Sequence, residues 1–154
     1  KVAHEEDTEE VFEEIRWPGK WAKAERRAKQ AYDIIGNDLR HFYAIQAANL
    51  KSIVNFLNWR NKATPTSEII FNLVEGPKEL SIDASTQEER DYFVKEFDNY
   101  TGTLSSREEK DLDAVYKLCK ELNNSTALIK QRNSKNAYVE SIRTTYLKRN
   151  NPGI

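Results

Sequence analysis

Apolar residues recur at spacings of three and four from Trp21 to Leu57, and this periodicity constrains the fold more than any other feature of the sequence. One side of an α-helix repeats with this spacing, whereas a half-buried strand alternates. The run passes through Gly36-Asn37-Asp38, residue types that are common in turns. The pattern therefore predicts either one kinked helix over residues 21–59 or, as we favour, two helices joined by a tight turn.

Two helix-start signals follow farther along the chain. Residues 85–88 (Ser-Thr-Gln-Glu) and 105–108 (Ser-Ser-Arg-Glu) both fit the capping box. In this motif the hydroxyl and the carboxylate each bond a backbone N–H that the first helical turn leaves unpaired. We expect a helix to begin at each box, the first of them ending near Gly102.

Three shorter assignments complete the chain. A helix is predicted after Thr8 and ends before Pro18. Residues 69–74 predict a short helix, with a strand as the alternative, because short apolar runs do not distinguish the two. A last helix begins near Thr126, and the polar residues around Ser134 predict a break in it.

Together these elements predict an all-α protein, an irregular bundle of five to seven helices. The chain has 154 residues, enough for one domain with its own core, and 32% of them are charged, which suits helices with solvated outer faces. We expect a single helical domain over residues 1–154. Within it, residues 1–7 are expected to form a flexible acidic N-terminus and residues 148–154 a frayed C-terminus.

Residue types that usually carry catalysis are scarce. The two histidines, His4 and His41, lie far apart and neither belongs to a zinc-binding motif. Cys119, the one cysteine, falls on an apolar helix face, where we expect a buried thiol rather than a nucleophile. The carboxylates concentrate in first turns of helices, where capping and the helix dipole account for them. The sequence therefore predicts a protein that is not an enzyme and uses neither a metal nor a cofactor.

Basic and aromatic side chains are interleaved in the segment that follows the acidic N-terminus. Such a mixture favours binding to an anionic partner, although pairing with the chain's own N-terminal acids is an alternative. The net charge is −1 and acidic and basic stretches alternate along the chain, so we expect an acidic protein partner rather than nucleic acid. The candidate partner-binding residues are Trp17, Lys20, Trp21, Lys23, Arg26 and Arg27.

A second hypothesis is that the protein carries a small apolar ligand, such as a lipid, between its helices. Bulky aromatic residues beside alanine-rich helix faces can enclose an apolar cavity. The candidate lining residues are Phe42, Phe56, Phe93 and Phe97. A third hypothesis is an intracellular scaffold or nucleic-acid partner, which would require the basic segments 16–30 and 130–149 to share one face.

Two triplets, Asn99-Tyr-Thr101 and Asn124-Ser-Thr126, fit the N-x-[ST] acceptor pattern for N-glycosylation. No signal peptide and no apolar stretch long enough to span a membrane is found in the sequence. The two acceptor triplets favour a secreted or extracellular protein, glycosylated at Asn99 or Asn124, with a cytoplasmic location as the alternative. No sequence signal indicates an oligomeric state.

Overall fold

The computed structural model describes residues 9–13 and 20–150, which form six helices and a two-stranded parallel sheet. The prediction of an irregular bundle of five to seven helices is confirmed, and the small sheet is an addition to it. In chain order the elements are α1 (9–13), α2 (Trp21–Ile35), β1 (Arg40–Ile45), α3 (Ile53–Ala63), β2 (Glu68–Leu73), α4 (Gln87–Asp98), α5 (Ser106–Glu121) and α6 (Thr126–Asn150).

The long periodic run from Trp21 contains two helices, α2 and α3, but a strand and not a tight turn lies between them. Helix α2 ends at Gly36, whose φ of 54° is a backbone conformation that other residues adopt only with strain. The chain then forms β1 where a second helix was predicted, so that prediction is wrong over residues 40–45. The helical pattern returns only after the 3₁₀ segment Ala47–Ser52, in α3.

Strand β2 occupies the segment where a short helix was favoured, so the favoured prediction is wrong and the strand alternative is correct. Ile69, Ile70 and Phe71 are all buried, as expected for a strand covered on both faces. The strand pairs in parallel with β1, and His41 lies opposite Ile69. A parallel pair needs a long crossover, and here residues 46–67, which include α3, provide it.

Both predicted capping boxes lie at helix starts. The box at Ser105 and Glu108 begins α5 as predicted. The box at the start of α4 is shifted by one residue, because Thr86 and Glu89 form it in place of Ser85 and Glu88.

Helix α6 is continuous, and the predicted break near Ser134 is wrong. Two ion pairs hold this weakly helical stretch against the body: Arg132 bonds Glu89 at 2.6 Å and Lys135 lies 3.5 Å from Glu79. These tertiary contacts outweigh the low helix propensity of the polar residues between them. The helix runs on through residues 148–150, part of the segment expected to be frayed, whereas residues 1–7 and 151–154 lie outside the described ranges.

The core lies where the sheet meets α3, α4 and α5. Ile53 and Leu57 of α3, Ile69 of β2, Phe93 of α4 and Leu112 of α5 are buried in one apolar cluster. Among the described helices, none combines the length and apolar character needed to cross a membrane.

Candidate functional site

A groove of about 220 Å³ opens between α2 and β1, with α3 at its base. We call it the aromatic groove. Two alanines one helical turn apart on α2 leave space for it, since larger side chains there would fill the gap to the sheet. Its principal lining residues are Trp21, Ala24, Ala28, Phe42, Phe56 and Trp59.

Ring–ring contacts hold the base of the aromatic groove. Trp21 meets Trp59 edge-on with ring centroids 5.2 Å apart, and Phe56 stacks on Trp59 at the same separation. His41 also lies edge-on to Trp59, at 5.4 Å. Offset-stacked and edge-to-face pairs stabilise one another beyond the area that they bury. The base is therefore a preformed surface.

Polar atoms around the base of the groove bond to the protein itself. Trp59 Nε1 donates to Glu25 Oε2 over 2.6 Å, a contact that also fastens α2 to α3. The Tyr43 hydroxyl donates to the Asn49 carbonyl over 2.7 Å, and burial raises the pKa of Tyr43 well above its usual value. Since these groups are already hydrogen-bonded, the groove favours an apolar occupant.

His41 is uncharged in the wall of the groove at neutral pH. Its Nε2 lies 2.9 Å from Thr64 Oγ1. Burial and, next, the nearby positive charge of Arg60 lower the pKa of His41 to about 4. The imidazole is thus a partly buried side chain and adds no charge to the groove.

Phe42 stands on the rim of the groove with 71% of its surface exposed. An exposed aromatic ring is informative where it continues an apolar surface, as Phe42 does at the edge of the groove. Of the four phenylalanines predicted to line a cavity, Phe42 and Phe56 line this groove. Phe93 and Phe97 do not: they stack on each other with centroids 5.5 Å apart, and Phe93 belongs to the core.

The structure separates the aromatic from the basic members of the predicted partner-binding set. Trp21 is buried in the groove wall, and Trp17 lies outside the described residues. Lys20 is exposed and pairs with Glu13 at 3.2 Å, so part of the basic segment does meet the acidic stretch before it.

Lys23, Arg26 and Arg27 are exposed on α2, and Arg40 is exposed on β1. None of these four forms an ion pair with another residue in the part of the chain that the structure describes. They therefore give the exposed surface of α2 and β1 positive charge that the described residues leave unneutralised, although none of the four lines the aromatic groove.

The two candidate glycosylation sites both lie just beyond helix ends. Asn99 is the exposed residue that ends α4. Asn124 is exposed between α5 and α6, and its Oδ1 accepts a hydrogen bond of 2.6 Å from the buried Arg90.

The most buried ion pair among the described residues is structural and does not line the groove. Arg60 and Glu108 form a buried ion pair through two hydrogen bonds of 2.6 and 3.1 Å, and only 4% and 1% of their side chains are exposed. Although burial alone would raise the pKa of Glu108, hydrogen bonds from Arg60 and from the backbone of Ile69 and Ser105 lower it overall. This pair ties α3, β2 and α5 together.

Cys119 is buried in the core, as predicted. Burial raises the pKa of its thiol to about 12, so the sulfur is protonated at neutral pH and is a poor nucleophile. Across residues 9–13 and 20–150 no group of three or more His, Cys, Asp or Glu side chains is arranged to hold a metal ion.

Sequence reasoning missed the groove because its walls come from segments far apart in the chain. Trp59 was not among the residues predicted to line a cavity, and its bond to Glu25 joins residues 34 positions apart. The alternation of β1, where His41 and Tyr43 point inward while Phe42 points outward, was hidden by the helical spacing of the same residues.

Comparison of the chain with protein-family models, with curated proteins and with solved structures finds no match.

Proposed function

We propose that the protein is a non-enzymatic binding protein and that the aromatic groove, together with the exposed cations of α2 and β1, is its contact surface for an acidic protein partner. The observation that carries this proposal is the exposure of Phe42 at the rim of a preformed, apolar groove. Buried aromatic pockets flanked by exposed anchors are typical centres of protein–protein interfaces.

The size of the groove favours a side chain as its occupant. At about 220 Å³ it is smaller than the roughly 300–1,000 Å³ of typical small-molecule sites. One large apolar side chain of a partner fits such a space, while the rest of the interface spreads over the rim. The exposed cations Lys23, Arg26 and Arg27 of α2 then attract the acidic partner as it approaches.

The role of the titratable groups supports a binding protein over an enzyme. Glu89 and Glu108 are paired with arginines from other helices and cap their own helices. Cys119 is protonated and lies in the core. These groups are engaged in holding the fold together, and none of them lines the groove.

Charge reversal on α2 is expected to slow association with an acidic ligand. Random linear peptides selected on the immobilised protein should carry a large apolar residue flanked by Asp or Glu. For such a peptide, the double variant Arg26→Glu/Arg27→Glu should reduce the association rate about tenfold at low salt and flatten its salt dependence, because these residues steer encounter. Stopped-flow fluorescence measures both.

The matched control is Lys110→Glu/Lys117→Glu, which makes the same charge change on exposed positions of α5. It should leave the association rate close to that of the unmodified protein. Both double variants should unfold at nearly the same temperature as the parent, since the four residues form no ion pair with any described residue. Equal slowing by both double variants would show a net-charge effect and would count against this surface.

A carrier of a small apolar ligand is the second candidate function. It is favoured by one specific observation: Phe42 and Phe56, two of the four residues expected to line a cavity, do line the groove. The internal bonding of Tyr43 and Trp59 also leaves that lining mainly apolar.

We also propose that the protein acts outside the cell. The exposure of Asn99 and Asn124 supports this location, since an oligosaccharide transferase needs an accessible acceptor. The Oδ1 bond of Asn124 to Arg90 leaves its Nδ2, the atom that would carry a glycan, outside that contact.

A native mass spectrum of protein expressed through a eukaryotic secretory pathway tests both the glycosylation of Asn99 and Asn124 and the binding of a small apolar ligand. We expect extra mass that glycosidase removes and that is lost stepwise in Asn99→Gln and Asn124→Gln variants. A separate adduct of a few hundred daltons that organic solvent removes would support the carrier. An unmodified mass would contradict glycosylation, and the absence of an adduct would favour the protein partner over the carrier.

A further inference from the structure

The hydrogen bonds of the sheet show which groups of β1 are free. In a parallel pair, alternate residues of a strand bond the same neighbour, and the residues between them point the other way. The carbonyls of Leu39 and Ile45 accept bonds from Glu68 and Val74, at 3.3 and 2.9 Å. The odd-numbered residues of β1 therefore point their N–H and C=O groups toward β2. The even-numbered residues, Phe42 among them, point these groups toward the opposite edge.

The aromatic groove runs along this opposite edge. Residues 41–44 all line it. Because side chains of a strand alternate between its two faces, four consecutive residues can share one groove only if the edge of the strand forms its wall. Asn49, another lining residue, confirms the direction: its Nδ2 donates to the Ala44 carbonyl over 2.8 Å.

The backbone of Phe42 is an unpaired part of this edge. No other described residue bonds its N–H or C=O group. Across the groove stands α2, whose Ala24 and Ala28 present little bulk. A strand edge beside an apolar groove can pair with an additional extended chain, which would gain backbone hydrogen bonds from the strand while one of its side chains enters the groove.

We propose that the partner binds as an added β-strand, an inference that rests on the proposed function. An extended acidic segment of the partner pairs with the free edge of β1 at Phe42. One large apolar side chain of this segment then packs against Trp59 and Phe56. Backbone pairing supplies affinity that does not depend on sequence. The aromatic base and the charges select the segment, since every second side chain of an added strand faces the same way.

The occupant is identified as an acidic segment by charge complementarity. Arg40 is exposed on the same strand and forms no ion pair with another described residue. Lys23 and Arg27 are likewise exposed on α2 and form no ion pair with another described residue. A symmetric contact with a second copy of this chain would bring the same cations to the groove and is therefore disfavoured.

Proline at position 42 tests the backbone bond directly. Phe42→Pro removes the side chain and the free N–H, whereas the matched variant Phe42→Ala removes the side chain alone. Neither removes a bond to β2, and proline is tolerated on an edge strand whose N–H faces outward. Using an acidic peptide selected on the parent protein, we expect the dissociation constant of Phe42→Pro to be about tenfold above that of Phe42→Ala.

N-methylation of the selected peptide gives a second measurement that does not depend on the folding of a variant. If the peptide adds as a strand, methyl groups on alternate backbone nitrogens should each weaken binding about tenfold, and those on the intervening nitrogens should have little effect. Fluorescence polarisation on the unmodified protein measures the whole series.

The outcomes separate this inference from the proposed function. Tight binding with equal affinities for the Pro and Ala variants, and no alternation along the N-methyl series, would overturn strand addition while the contact surface stands. Failure to select any peptide that depends on Arg26 and Arg27 would overturn the proposed function itself. A concentration-dependent dimer that Phe42→Pro abolishes would assign the edge to a second copy and overturn the acidic partner.

Discussion

Replacing Glu108 by glutamine is expected to lower the free energy of unfolding by about 3–5 kcal/mol, because it leaves the Arg60 guanidinium buried without its counter-charge. Both side chains are almost completely buried, and Glu108 also accepts backbone bonds from Ile69 and Ser105. Glutamine has nearly the same shape, so the loss reports charge rather than packing. Urea unfolding followed by circular dichroism measures it.

The neighbouring substitution Glu109→Gln is the control, since Glu109 is exposed in the same helical turn. It should change the free energy of unfolding by no more than about 0.5 kcal/mol. The double variant Arg60→Met/Glu108→Leu should be more stable than Glu108→Gln, because no buried charge is left unpaired. A loss for Glu108→Gln as small as that for Glu109→Gln would contradict the role of the buried pair.

The same pair gives the protein a defined response to acid. The pKa of Glu108 is lowered in the folded state, so its contribution to stability is complete above the ordinary value of 4.5 and is lost as the pH falls through the folded pKa. The stability curves of the parent and of Glu108→Gln should therefore converge below about pH 4.5. Curves that stay parallel would show that Glu108 does not carry this dependence.

The parts of the fold that were predicted correctly are those that local chemistry determines. The box at Ser105 and Glu108 needs only a hydroxyl and a carboxylate three residues apart, and it begins α5 as expected. At α4 two adjacent hydroxyls competed: Ser85 bonds the Ile82 carbonyl, and Thr86 takes the cap. The local pattern thus predicted the helix, but its capping residue lies one position later than expected.

The parts that were missed depend on contacts between distant residues. Over residues 40–45 the same side chains fit a helical stripe, but the edge of β2 supplies backbone partners that make a strand the better solution. Helix α6 continues through Ser134 because Glu79 and Glu89, far back in the chain, bond it on both sides of that residue. Neither partner is visible in the local sequence.

The candidate site was predicted in part for the same reason. The exposed cations of α2 could be inferred from helical periodicity alone, and Lys23, Arg26 and Arg27 are indeed exposed. The groove beside them requires Trp21, Phe42 and Trp59 to come from three elements. Its existence depends on how those elements pack, which spacing along the chain does not record.

Replacing Phe93 by alanine should destabilise the protein much more than replacing Phe42 by alanine, although the same atoms are removed. Phe93 is 1% exposed in the core, and Phe93→Ala is expected to lower the free energy of unfolding by about 3–5 kcal/mol through lost burial and the cavity left behind. Phe42→Ala removes a ring that is 71% exposed and should cost less than about 1 kcal/mol. Thermal and urea unfolding of the two variants measure the difference.

Peptide binding should reverse this order. The Phe42→Ala variant, folded and nearly as stable as the parent, should lose affinity for a selected acidic peptide, since the rim of the groove contacts the ligand. Phe93→Ala, measured at a temperature where it remains folded, should bind as the parent does, because its ring lies in the core and not in the groove. If the exposed ring can be removed without loss of affinity while the buried one cannot, the ligand binds elsewhere, and the groove between α2 and β1 is only a feature of packing.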